Sequence, residues 1–246
     1  TVEDAHANSS SVAFTLHGAG WAEAKAWPIA RQSGLYARYD RENTVESDGM
    51  RLTIPANALY DNTYLTLSSA AATPATAKRR YNSALFHVHD PLVPLQLPAQ
   101  LSLRTDTDVP KDLQDKLIVV RVPDKGAPAP MGGTVKDGWI TTKVKGFGNY
   151  AVMLDTVPPT LVALGHAKKG ASPQQLRFRV GDDLSGIAQW SGTWDGQWIL
   201  FEYDPKLRQL IHTFDDHSNK PGSHTLVMDL RDERGNLRHY TTTITR

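Results

Sequence analysis

Three histidines and a handful of loop oxygens are the residues of this chain whose types and spacing could do chemistry. His87-Val88-His89 is a His-x-His pattern. On a strand, residues two apart share a face, so both imidazoles could hold one metal ion. His212-Thr213-Phe214-Asp215-Asp216 supplies a His-x-x-x-Asp pattern. Asp155, Asp182, Asp183, Asp232 and Asn236 are hard oxygen donors among turn residues. Calcium takes six to eight such oxygens, and loops gathered at one end of a sandwich can supply them.

Each of these sets also has a plainer reading. His87 and His89 alternate with Phe86 and Val88, as on a half-buried strand with a polar outer face, and His212 lies in Gln209–Phe214, which reads as an ordinary sandwich strand. Surface histidines are the favoured reading for all three. The carboxylate pairs Asp182-Asp183 and Asp215-Asp216 sit at strand ends, where such residues cap turns. For the oxygen set the favoured reading is satisfaction of turn amides, with Gly186 and Gly235 supplying positive φ; calcium is the weaker alternative. There is no cysteine, hence no disulfide, thiol catalysis or thiolate metal site. Neither a Gly-x-Ser-x-Gly elbow nor a phosphate-binding loop is present. No catalytic constellation is expected in this chain.

The elements that must position these residues are short, alternating and β-prone. Strands are expected at Val12–Leu16, Leu35–Tyr39, Arg51–Ile54, Tyr64–Ser68, Leu85–His89 and Leu101–Arg104, then at Lys116–Val122, Gly133–Lys136, Trp139–Val144 and Tyr150–Leu154. One helical turn is expected in Val109–Gln114. No segment holds a long 3.6-residue apolar period, so the fold class is all-β, with sandwiches or barrels. Asp155-Thr156-Val157-Pro158-Pro159-Thr160 divides the chain, because adjacent prolines stop helices and cannot pair in a central strand. The expected organisation is a β-sandwich at 10–154, a Pro-Pro linker at 155–160 and a second β-sandwich at 161–246.

Two Asp-Gly pairs, Asp137-Gly138 and Asp195-Gly196, mark two-residue hairpins. Side chains equidistant from such a turn share a face. Trp190, Trp194, Ile199, Phe201 and Tyr203 then face the core, and Ser191, Thr193, Trp198, Leu200 and Glu202 face out. Around the other turn, Val135, Ile140 and Val144 go inward, while Trp139 joins Thr134, Thr141 and Lys143 outside. Trp139 and Trp198 therefore point away from their local cores. Such aromatics can stack on sugars or pack against a neighbouring domain or loop.

Composition narrows the functional classes. The 246 residues carry 27 basic and 26 acidic side chains, so no electrostatic field calls for nucleic acid. No apolar run reaches the roughly 20 residues that span a bilayer, and residues 1–20 lack a signal-peptide core. If the protein is exported, its targeting segment lies outside this sequence.

Several segments together resemble the C-terminal region of secreted bacterial peptidases of the lysostaphin/LytM-like zinc metallopeptidase family. They include Met50–Tyr60, Leu113–Val119, Asp137–Val144 and Phe147–Tyr150. The connector Asp155–Thr160, then Asp182-Asp183-Leu184-Ser185-Gly186-Ile187 and Asp195–Leu200, continue the pattern. The resemblance covers about residues 10–246, and the part after the connector also resembles a bacterial immunoglobulin-like domain. It implies a non-catalytic accessory region of a peptidoglycan endopeptidase, exported to the periplasm or cell surface. Its partners would be an N-terminal catalytic domain and an envelope glycan such as peptidoglycan. Zinc is then expected only in that catalytic domain, which pairs His-x-x-x-Asp with a later His-x-His; here the two patterns come in the reverse order and in different expected domains. A stand-alone cell-surface carbohydrate-binding or structural module is the alternative.

Overall fold

The computed structural model describes residues 1–15, 34–72, 80–106, 108–165, 174–216 and 218–246. Two compact units are present, Thr1–Ser33 and Gly34–Arg246. In the first, β1 (Val2–Glu3) pairs antiparallel with β2 (Ser9–Ser10) around a turn that Asp4 organises. Its carboxylate accepts from the amides of His6 at 2.9 Å and Asn8 at 3.0 Å. Val12–Thr15 forms no strand, contrary to expectation, and Leu16 lies outside the described residues.

The second unit is built of antiparallel sheets and is all-β apart from one short 3-10 helix among the described residues. β3 (Leu35–Ala37) pairs with β6 (Thr63–Leu65). The first sandwich opposes two five-stranded sheets. One runs β12 (Thr134–Lys136), β13 (Trp139–Gly146), β9 (Pro94–Arg104), β5 (Met50–Ile54) and β4 (Asn43–Ser47). The other runs β11 (Ala129–Gly132), β10 (Leu117–Val122), β14 (Gly148–Leu154), β8 (Leu85–Val88) and β7 (Leu67–Ala70). Leu52, Ile54, Leu101, Leu103, Ile140 and Val144 meet Phe86, Val119, Tyr150 and Val152 between them. The 3-10 turn spans Lys111–Lys116, overlapping the expected Val109–Gln114 but set two residues later. The Tyr64–Ser68 run breaks at Thr66, so its halves serve two different sheets.

The second sandwich has sheets of four strands. β15 (Thr160–Ala163), β16 (Gln175–Gly181), β20 (Gln209–Thr213) and β19 (Glu202–Asp204) form one; β18 (Gln197–Ile199), β17 (Ile187–Trp194), β21 (Ser223–Asp232) and β22 (Leu237–Thr245) form the other. Lettered in chain order A, B, C, C′, D, E, F, G, these are A-B-E-D and C′-C-F-G, the strand order of immunoglobulin sandwiches. Phe178, Trp194, Phe201, Leu226 and Met228 fill the core.

Both Asp-Gly hairpins form in the expected register, Lys136 opposite Trp139 and Trp194 opposite Gln197. Asp137, Gly138, Asp195 and Gly196 all have positive φ, as a type I′ turn requires. Tyr203 corrects the expected face: it is exposed and lies against Trp190, their centroids 5.4 Å apart. The cause is that the chain leaves one sheet after Ile199 and enters the other at Glu202, so alternation counted from the turn fails. Phe201, at the crossing, stays buried because Gly192 leaves it room; a Cβ there would stand 2.5 Å from the Phe201 ring.

Candidate functional site

The two sandwiches meet at a joint built from strand ends. Asp155 follows β14, Asp182 follows β16, and Asp232 closes β21. One carboxylate oxygen from each lies within 4.8 Å of the others. Asp155 and Asp232 are each only 2% exposed. Backbone amides set every carboxylate. Asp182 Oδ2 accepts from Leu184 N at 3.1 Å and Gly186 N at 2.8 Å. Asp232 Oδ1 accepts from Arg234 N and Asn236 N, both at 2.8 Å. Asp155 Oδ2 accepts from Ser185 N at 3.0 Å. Gly186 and Gly235 have the positive φ that these tight loops need. Burial, then the charges of Asp182 and Asp232, raise the Asp155 carboxyl above its usual range, against the opposing pull of Ser185.

Asn236 ties the set together. Its Nδ2 donates to Asp232 Oδ2 at 2.7 Å and to the Asp155 carbonyl oxygen at 3.0 Å. Asp183 is exposed and stands outside the trio. Lys116 and Arg234 cross the joint and Arg238 holds the connector, none of them pairing with the carboxylates. Lys116 donates to the Arg234 carbonyl oxygen, Arg234 to the carbonyl oxygens of Leu117 and Gly133, and Arg238 to that of Pro159. Leu184 packs on Tyr81, Ile118, Val120, Ala151 and Met153, closing the outer face of the first sandwich. The Pro-Pro segment is thus a bonded joint.

The two tryptophans sit in different surroundings. Trp139 faces outward but lies between guanidinium groups, with Arg51 and Arg104 each 5.5 Å from the ring. Trp198 is 68% exposed and Leu200 beside it 54%. A cleft of about 570 Å³ runs along this face, lined by Trp198, Leu200, Glu202, His212, Thr213 and Asp215. It follows the seam where the chain changes sheets, between the unpaired edges of β18 and β19.

The histidines are not brought together: among the described residues the only cluster with metal-ligand spacing is the aspartate trio. Two of the three are also not on the surface, which corrects the expectation. His212 is buried; its Nδ1 lies 2.9 Å from the Leu200 carbonyl oxygen and its Nε2 3.3 Å from Ser218 Oγ. His89 is buried because the strand ends at Val88 and a positive φ turns the ring inward, edge-on to Phe147. Only His87 keeps a partly exposed position, with its Nδ1 2.9 Å from Asn149 Oδ1.

Sequence reasoning missed Ser185, Lys116, Arg234 and Arg238. Ser185 stands inside the quoted Asp182–Ile187 segment and could have joined the oxygen set. The cations carried no local signal, because Lys116 and Arg234 meet across more than a hundred residues of chain.

Among protein families, the Zu5-like domain matches residues 35–155, the first sandwich through Asp155. No curated protein matches the chain. Among the described residues no helix is long and apolar enough to cross a membrane.

Proposed function

We propose that this chain is a non-catalytic accessory region of an exported cell-wall metallopeptidase, and that the face around Trp198 binds an envelope glycan such as peptidoglycan. The exposure of Trp198 carries this reading. Trp139, Trp190 and Trp194 are held by arginines, by a hydrogen bond to the Phe201 carbonyl oxygen, or by the core; Trp198 offers a bare ring over a cleft of apolar side chains with a few polar groups. An aromatic face beside a few polar groups suits a sugar ring, whose C–H face stacks while its hydroxyls find Glu202, Thr213 or Asp215.

The bonded joint supports a positioning role. Two sandwiches fixed by side-chain bonds form a spacer of set geometry, and a weak glycan contact at one end raises the local concentration of a tethered catalytic domain. In this reading the zinc chemistry belongs to that domain. The alternative, a stand-alone surface module, uses the same face and is separated from the first by whether a metallopeptidase domain is encoded upstream.

Co-sedimentation with purified peptidoglycan tests the binding. The wild type and Trp139→Ala should be retained and Trp198→Ala released. Equal retention of all three would remove Trp198 from the proposal, and no retention of the wild type would end the glycan reading.

A further inference from the structure

We propose that Asp155, Asp182 and Asp232, with Ser185, form a binding site for one calcium ion at the joint between the sandwiches. Three carboxylates converge within 4.8 Å, and among the described residues no lysine, arginine or histidine forms an ion pair with any of them. Like charges this close, two of them buried, repel strongly unless a cation or a proton separates them.

A second observation points to the cation. Ser185 is only 8% exposed, and its Oγ meets no hydrogen-bond partner. The Ser185 amide donates to Asp155 Oδ2 at 3.0 Å, which places the residue against the trio. Asp182 Oδ1 is likewise buried and without a partner, although Oδ2 of the same group accepts two amides. Buried polar atoms are nearly always satisfied, so two orphaned oxygens beside a carboxylate trio describe a site for a ligand.

The donors choose the ion. All are oxygens, with no histidine or cysteine among them, which suits a hard cation rather than zinc or copper. Oxygens bound to one calcium ion lie at most about 4.6–5.2 Å apart. The three oxygens, within 4.8 Å of one another, lie inside calcium's reach, and calcium accepts an irregular shell of protein oxygens where magnesium keeps most of its waters. Water would complete the shell on the side of Asp182, the more open of the three. Because the ligands come from the ends of β14, β16 and β21, the bound ion would stiffen the joint itself.

Calorimetric titration of the chelator-treated protein with calcium chloride at pH 7 tests this, with thermal melting in parallel. The expected result is one ion per chain, a melting temperature that rises with calcium, and magnesium binding about tenfold or more weakly. Asp182→Asn should weaken calcium binding by at least about tenfold while leaving the calcium-free protein at least as stable, since a like charge has gone. Ser185→Ala, which keeps all three carboxylates, should weaken it by a smaller factor. Absence of both heat and melting shift at millimolar calcium, or unchanged affinity in Asp182→Asn and Ser185→Ala, would overturn the site. Magnesium binding as tight as calcium would overturn the choice of ion. The result is independent of glycan binding, which is read on Trp198.

Discussion

Lys116 and Arg234 form a two-way clasp across the joint, each bonding backbone at or beside the other. Lys116 Nζ donates to the Arg234 carbonyl oxygen at 2.6 Å, and Arg234 Nη1 donates to the carbonyl oxygen of Leu117, next along from Lys116, at 3.0 Å. The same Nη1 lies 3.0 Å from the Gly133 carbonyl oxygen. Each sandwich thus supplies a cation that satisfies carbonyl groups of the other. Charged donors on partly buried carbonyls make stronger bonds than neutral ones.

Removal of this clasp should therefore be felt. Arg234→Ala is expected to lower stability by about 2 kcal/mol and to separate the unfolding of the two sandwiches, because the carbonyls of Leu117 and Gly133 lose their donor. Arg234→Lys should recover part of the loss, since one ammonium lacks the planar fork. Denaturant unfolding followed by tryptophan fluorescence and by circular dichroism gives the measurement. A loss under about 0.5 kcal/mol with one unchanged transition would contradict it.

Leu184 is the apolar half of the same joint. Its side chain comes from the second sandwich and closes a cluster on the first, over Ile118, Val120 and Met153. Leu184→Ala should cost about 2–3 kcal/mol, toward the lower end for a buried leucine because the site lies at a seam that can partly collapse. Amide exchange should quicken in β10 and β14 in particular. Uniform quickening across both sandwiches would instead indicate general destabilisation.

These contacts mark where the sequence stops being legible. The Asp-Gly hairpins could be read because turn geometry and period-two alternation are local, and they place Ile140, Val144, Trp194 and Ile199 inside as expected. The run Leu117-Ile118-Val119-Val120, buried on both faces, shows that β10 is covered twice. What covers its outer face could not be read, because Leu184 is more than sixty residues away. Tyr203 and His89 went astray for one reason: a strand was assumed to continue where the backbone turned. The oxygen set was visible as a list of residue types. The convergence of Asp155, Asp182 and Asp232 depends on which strand ends the topology brings to one edge, and only the fold supplies that.

His89 should make stability depend on pH. Burial first, and the neighbouring His87 to a lesser degree, lower its pKa against the opposing charge of Asp90. A histidine with a lowered folded-state pKa binds fewer protons when folded than when unfolded. Its stabilising contribution is complete above the unfolded value, about 6.5, and is lost as pH falls through the folded pKa. Denaturation midpoints measured between pH 7.5 and 5 should decline, and His89→Asn should flatten the decline. Asparagine tolerates the positive φ at this position, although it forfeits the contact with Phe147 and should be less stable at pH 7.5. An identical slope in both proteins would assign the dependence to another group.

Trp139 and Trp198 were alike in sequence, both outward beside an Asp-Gly turn, and the structure separates them by what lies against the ring. Two guanidiniums cover Trp139, and cation–π contacts at such sites contribute about 0.5–1 kcal/mol each. Trp139→Ala should therefore lower stability by about 1–2 kcal/mol and leave glycan binding alone. Trp198 has little to lose on the folded side: its exposed ring predicts a change within about 0.5 kcal/mol on substitution by alanine. Trp198 and Leu200 together form an exposed apolar patch, the kind of surface that marks an interaction site. If Trp198→Ala instead destabilises as much as Trp139→Ala, the ring is a structural residue, and the cleft beside it loses its claim to a ligand.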